Sequence, residues 1–140
     1  MKHLLLLIIF FATPCFASLE SEINKARQSY GLPILIVDKQ LQKVAEYKDS
    51  DMFKENFFSH TNKKGIECLD LMKRFKVKFY EAGEILAEAV DNKKDYSKEA
   101  VEAWLKSPKH REVMLYEDYT RVGCYTKYNY STCYFTYEER

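Results

Sequence analysis

A change of texture near Thr120 limits what this chain can fold into. From Leu19 to Leu115 apolar residues recur mostly at helical spacing. From Thr120 to Tyr137 the chain is rich in Tyr, Thr and Val and poor in charge, a composition suited to paired strands. Asn129 lies near the centre of Tyr125–Thr132, which predicts a hairpin. If Tyr128-Asn129 is its turn, Cys124 and Cys133 fall opposite one another, and a cross-strand disulfide becomes geometrically available. Helices first and a hairpin last predict an α+β domain, with helices packed on an antiparallel sheet. Only four Gly and three Pro among 140 residues agree with a helix-rich single domain.

The first segment reads as an address. Lys2 and His3 precede the uncharged run Leu4 to Ala12, nine residues, whereas a membrane-spanning helix needs roughly 20. Small residues around Ala17 complete the pattern of a secretory signal, with cleavage expected after Ala17. Pro14 stands where a lipoprotein signal would have a small residue before Cys15, so that reading ranks second. Residues 18–140 would then form the single domain, without a transmembrane anchor, secreted or periplasmic. Lys and Arg total 22 against 21 acidic residues, and loss of Lys2 would even the balance. Such neutrality disfavours nucleic-acid binding. An exported chain meets oxidising conditions, in which a disulfide persists.

Within residues 18–140, Leu19, Ile23, Ala26 and Tyr30 predict a helix stopped by Gly31. Leu32-Pro33-Ile34-Leu35 reads as a buried apolar connector. Asp38 is the expected N-cap of a second helix that turns Leu41, Val44, Ala45 and Met52 inward and Lys39, Lys43, Glu46 and Lys48 to solvent. Asn56 to Gly65 reads as a loop. A third helix would use Ile66, Leu69, Met72 and Phe75 as its stripe, with Cys68 a buried free thiol beside it. Val77 to Val90 mixes extended and irregular character, and Asp91 to Asp95 reads as a polar turn. Ser97 is the expected cap of a fourth helix with Ala100, Val101, Trp104 and Leu105 on one face, halted by Ser107-Pro108. The tail tyrosines are expected to fill a sheet face.

Chemistry-bearing residues fall in three short contexts: Phe57-Phe58-Ser59-His60-Thr61, Gly83-Glu84-Ile85-Leu86-Ala87, and Trp104 through Ser107-Pro108-Lys109-His110-Arg111. Ser59 cannot reach its own neighbour His60 in an extended stretch, because adjacent side chains point apart. No Gly-x-Ser-x-Gly elbow and no His-Glu-x-x-His helix occurs.

With Ile23-Asn24, Arg27, Gly31-Leu32-Pro33, Leu35, Leu115 and Val122-Gly123 added in order, these contexts resemble the CAP superfamily of cysteine-rich secretory, antigen 5 and pathogenesis-related proteins, most closely its bacterial secreted branch with an SCP domain. The resemblance runs from about Ile23 to Tyr137. It implies a three-layer α-β-α sandwich with a small antiparallel sheet, and a cleft lined by two histidines and acidic partners. His60 takes the place of the first cleft histidine, Glu84 of the first glutamate and His110 of the second histidine. Ser107 stands where other members carry an acid after the tryptophan, and Ile85 replaces the Asn of Gly-Glu-Asn; Glu102 and Glu88 are the acids nearby that would compensate.

Two imidazoles and a carboxylate, here His60, His110 and Glu84, are a donor set that holds Zn²⁺ or another divalent cation with an open position. The same residues also serve as a hydrogen-bonded polar cleft, with Glu84 fixing a histidine tautomer. The cleft residues His60, Glu84, Ser107 and His110 therefore lead to two expectations. The first is a secreted binding or interaction module for a lipid, a carbohydrate or a protein. The alternative is a metal-assisted hydrolase of peptide or ester bonds in the same cleft.

Overall fold

The computed structural model describes residues 17–89 and 96–137. The expected leader up to Phe16 and the turn Asp91–Asp95 lie outside the described residues. The elements run in the order α1 (Leu19–Ser29), β1 (Ile36–Val37), α2 (Lys39–Glu55), α3 (Cys68–Arg74), β2 (Glu81–Glu88), α4 (Ser97–Lys106), α5 (Pro108–Met114), β3 (Arg121–Lys127) and β4 (Tyr130–Tyr137).

Helix starts follow local chemistry. The Ser18 hydroxyl accepts the Ser21 N–H at the head of α1, and Asp38 accepts the N–H groups of Gln40 and Leu41 at the head of α2. Gly31, at φ 72°, takes the chain out of α1 in the left-handed conformation that glycine adopts without penalty. The hairpin forms as expected: Lys127 pairs with Tyr130 around Tyr128-Asn129, and Cys124 faces Cys133 in a disulfide. Tyr128, at φ 61°, supplies the positive φ that a two-residue hairpin turn requires.

The sheet order is β1-β3-β4-β2, antiparallel throughout except that β1 runs parallel to β3. Side chains alternate across it and create a core on each face. On one face Ile85, Val122, Cys133 and Phe135 meet Leu19 and Ile23 of α1, Ala100, Val101 and Trp104 of α4, and Met114 of α5. On the other face Tyr134 meets Leu41, Val44 and Ala45 of α2 with Leu71 and Met72 of α3. Met52, Leu86 and Tyr130 extend that packing. The result is a three-layer α-β-α sandwich.

Several local expectations are corrected. In the connector after α1 only Leu35 is buried, and Pro33 and Ile34 are exposed, since this segment lies along an edge strand. Lys48 is buried rather than solvated. In α3 the inward residues are Leu71 and Met72, while Leu69 is exposed and Ile66 and Phe75 are half-buried. Cys68 is a free, half-buried thiol. Tyr96, not Ser97, is the N-cap of α4. Ser107-Pro108 ends α4 but also opens α5, because proline suits the first turn of a helix, where its missing N–H is not needed. Of the tail tyrosines, Tyr130 and Tyr134 are buried in the sheet, Tyr125 and Tyr137 are half-buried and Tyr128 is exposed.

Candidate functional site

The site is built at β2, an outer strand of the sheet, where a loop from one helical layer and a helix from the other meet. Glu84 lies in the middle of β2 and points to the α2 face, opposite Tyr134 on β4. Its side chain is only 2% exposed. One carboxylate oxygen meets His60 Nδ1 at 2.6 Å, and the other accepts a short hydrogen bond from the Tyr134 hydroxyl. Both oxygens of a buried charge are thus satisfied, as a desolvated carboxylate requires.

His60 comes from the loop after α2. Its ring is 58% exposed, so Nδ1 is fixed on Glu84 while the Nε2 edge remains available to a ligand. The loop is held from beneath by Lys48, whose ammonium donates to the His60 carbonyl at 2.9 Å and lies 5.3 Å from the centre of the Phe57 ring. Burial pushes the Lys48 ammonium below its ordinary range, and the charges of Glu84 and Asp51 oppose that shift. A void of about 10 Å³ lined by Lys48, Asp51, Asn62, Glu84 and Tyr134, among others, lies behind the pair, room for about one water. Phe58 stacks on Tyr130 with ring centres 5.9 Å apart and leaves an aromatic surface exposed beside His60.

His110 approaches from α5. Gly83 permits this packing: a Cβ there would lie 2.6 Å from the Tyr119 hydroxyl and 2.7 Å from Val113 of α5. His110 Nδ1 meets the Ser107 hydroxyl at 2.8 Å. Burial lowers the His110 pKa, and the charge of His60 lowers it further. His110 therefore lies within electrostatic reach of His60 without joining the His60–Glu84–Tyr134 chain of contacts. Glu102 pairs with Lys98 on the outer face of α4, and Glu88 is exposed at the end of β2. Among the described residues, no group of three or more His, Cys, Asp or Glu side chains is arranged to hold a metal ion. Glu84 thus meets His60 directly, while His110 is paired with Ser107.

Two members of the site were absent from the sequence reading. Tyr134 is visible only through the pairing of β2 with β4, which joins residues fifty positions apart. Lys48, expected on the solvated face of α2, is turned inward instead.

The model of the CAP family, described as the cysteine-rich secretory protein family, matches residues 20–138. The chain belongs to the CAP family. Two Bacillus subtilis proteins resemble this CAP domain: YkwD is 34% identical over 71% of the chain and 37% of its own length, and the membrane protein YlbC 38% identical over 71% and 28%. The chain thus spans well under half the length of these relatives. Among solved structures, an extracellular SCP-domain protein from Bacillus anthracis matches with a TM-score of 0.77 and 30% identity, over 86% of this chain and 39% of that one. An outer surface protein of Borrelia burgdorferi matches with a TM-score of 0.75 and 27% identity, over 86% and 90%. Both neighbours are named as extracellular or surface proteins. No helix among the described residues is long and apolar enough to cross a membrane.

Proposed function

We propose that this CAP domain is a secreted binding or interaction module whose ligand contacts the exposed edge of His60. One observation carries the reading: an exposed imidazole is fixed through Nδ1 by a buried carboxylate that Tyr134 braces in turn. Such a ring loses little orientational freedom when a ligand arrives, which favours affinity. The aromatic surface of Phe58 and the half-buried His110 supply apolar and polar walls. The ligand class that fits is a lipid, a carbohydrate or a protein displayed outside the cytoplasm. The Cys124–Cys133 disulfide accords with that location, and N-terminal sequencing of the exported chain is expected to begin at Ser18.

A hydrolase reading draws on a different observation, the Ser107 hydroxyl at 2.8 Å from His110 Nδ1. One set of proteins tests both. Wild type, His60→Ala and Ser107→Ala are assayed on lipid, glycan and peptide arrays and on p-nitrophenyl ester and casein substrates, with and without added Zn²⁺. Binding lost in His60→Ala, with no turnover above background, is the expected result. Turnover abolished by Ser107→Ala, or restored by Zn²⁺ in wild type but not in His60→Ala, overturns the binding reading in favour of hydrolysis.

A further inference from the structure

A second cleft opens on the same face of the sheet, two residues along β4 from Tyr134. Thr136 and Arg121, paired across β4 and β3, form its floor. Asp38 and Gln40 at the head of α2, with Lys76 and Lys78 from the segment between α3 and β2, form its walls. The cleft has a volume of about 150 Å³, space for several waters at roughly 30 Å³ each. None of these residues belongs to the His60 site.

The charge of this cleft is one-sided. Among the described residues Asp38 is its only acid, and it is already committed. One of its oxygens accepts the Gln40 and Leu41 N–H groups at 2.7 and 3.1 Å, and the other meets Arg121 at 2.9 Å. Lys76 and Lys78 are exposed, and among the described residues neither ammonium enters an ion pair or a hydrogen bond. Lys76 is also held at φ 56°, a left-handed conformation that costs a non-glycine residue about 1–2 kcal/mol.

Thr136 supplies an independent observation. It lines the floor of the cleft, and no side-chain hydrogen bond of its hydroxyl occurs among the described residues. A hydroxyl that opens onto the cleft is available to whatever occupies it. Two unpaired cations and a hydroxyl donor around a space of this size are the elements of an oxyanion site.

We infer that this cleft binds a phosphate group, held by Lys76, Lys78 and the Thr136 hydroxyl beside the Arg121 guanidinium. The phosphate is either a free oxyanion or the headgroup of an anionic lipid. The near-neutral charge of the whole chain does not oppose this, because the field that acts on an ion in a cleft is set by the groups lining it.

The test uses the intact disulfide-bonded protein. Inorganic phosphate is titrated calorimetrically into wild type, the double variant Lys76→Asn/Lys78→Gln and Thr136→Val. The same proteins are floated with vesicles of phosphatidylcholine alone or mixed equally with phosphatidylglycerol. Asn tolerates positive φ, so the double variant keeps the loop; circular dichroism and thermal unfolding verify that each variant folds. Saturable phosphate binding at one site per chain is expected, weakened about tenfold in the double variant and measurably in Thr136→Val. Flotation only with phosphatidylglycerol, weakened in the same variants and without binding of free phosphate, assigns the lipid headgroup as the source. Absence of binding in both assays, or binding as strong in either variant as in wild type, overturns the inference.

Discussion

Asp49 shows how far a single residue can depart from its surface habit. It lies on α2 at 0% exposure, its carboxylate accepting the Thr132 hydroxyl and, at 3.2 Å, the Lys127 N–H. Burial raises its pKa to about 7 against the partial opposition of those two donors. An unfolded Asp titrates near 3.9, so between that pH and about 7 the folded chain holds a proton that the unfolded chain has released. The associated stability is complete below about pH 4, declines as pH rises and is gone above the folded pKa, a span on the order of 4 kcal/mol. Urea unfolding at pH 5 and pH 8 is therefore expected to show Asp49→Asn gaining more on wild type at pH 8 than at pH 5. Comparing the two proteins cancels the titration of His110, whose lowered pKa acts in the opposite sense. An equal difference at both pH values would assign the effect to another group. Tyr134→Phe makes a second test at this scale. It removes the donor to a buried Glu84 oxygen and is expected to destabilise by about 1–3 kcal/mol. Buried charges were the least legible part of the sequence. Leu41, Val44, Ala45, Lys48, Asp49 and Met52 are the buried residues of α2, and their spacing is that of one helical stripe. Periodicity thus marks positions 48 and 49 as inward, while their chemistry argues for solvent, and only the partners brought by the fold resolve the conflict.

Elements were legible where one local signal sufficed. Asp38 marks the start of α2, and the spacing of Cys124 and Cys133 about Tyr128-Asn129 gives the register of β3 on β4. Signals with two meanings were harder. Proline after Ser107 is compatible with a helix ending or with one beginning, and here both occur at one residue, which is what delivers His110 to the cleft. The glycines of β2 and β3 separate two kinds of close approach. At Gly123 an added Cβ would lie 2.6 Å from the Leu41 carbonyl carbon, so the backbone of α2 itself must move. At Gly83 the nearest atoms are ends of side chains, the Tyr119 hydroxyl and a Val113 methyl, which can yield by rotation. Overpacking costs typically about 1–3 kcal/mol. Gly123→Ala is expected at or above the upper end of that range and Gly83→Ala toward the lower, as measured by chemical denaturation. Gly83→Ala has an additional consequence, because the Val113 side chain that must turn belongs to the helix that carries His110. NMR chemical shifts of the His110 ring should change in Gly83→Ala and remain as in wild type in Gly123→Ala. The reverse ranking in stability, or a still His110 in Gly83→Ala, would contradict the account of how β2 positions the site.

At the scale of the whole molecule, the sheet is a wall between two cores, and the hairpin belongs to both. Cys133 and Phe135 project to the α1, α4 and α5 side, while Tyr134 projects to α2 and α3. The order of strands follows from the hairpin being central: β3 and β4 occupy the middle of the sheet, although they come last in the chain. No helical element can therefore complete its packing until the tail has paired, a long-range dependence that periodicity in the sequence does not reveal. The Cys124–Cys133 disulfide acts on this central hairpin. It closes a separation of nine residues, for which chain entropy gives stabilisation of roughly 2–3 kcal/mol. Both sulfur-bearing residues are buried, Cys124 at 5% and Cys133 at 0% exposure, so reductant reaches the bond only when the sandwich opens. Two results are expected. Reduction under native conditions should proceed at the rate of global unfolding, with the same denaturant dependence. Once reduced, the protein should unfold with a midpoint lowered in proportion to 2–3 kcal/mol, about 4–8 °C per kcal/mol for a domain somewhat smaller than this one and less as the chain lengthens. If the disulfide is instead reduced much faster than the protein unfolds, the hairpin opens independently of the helices, and the central position of β3 and β4 is not what makes the two cores cooperative.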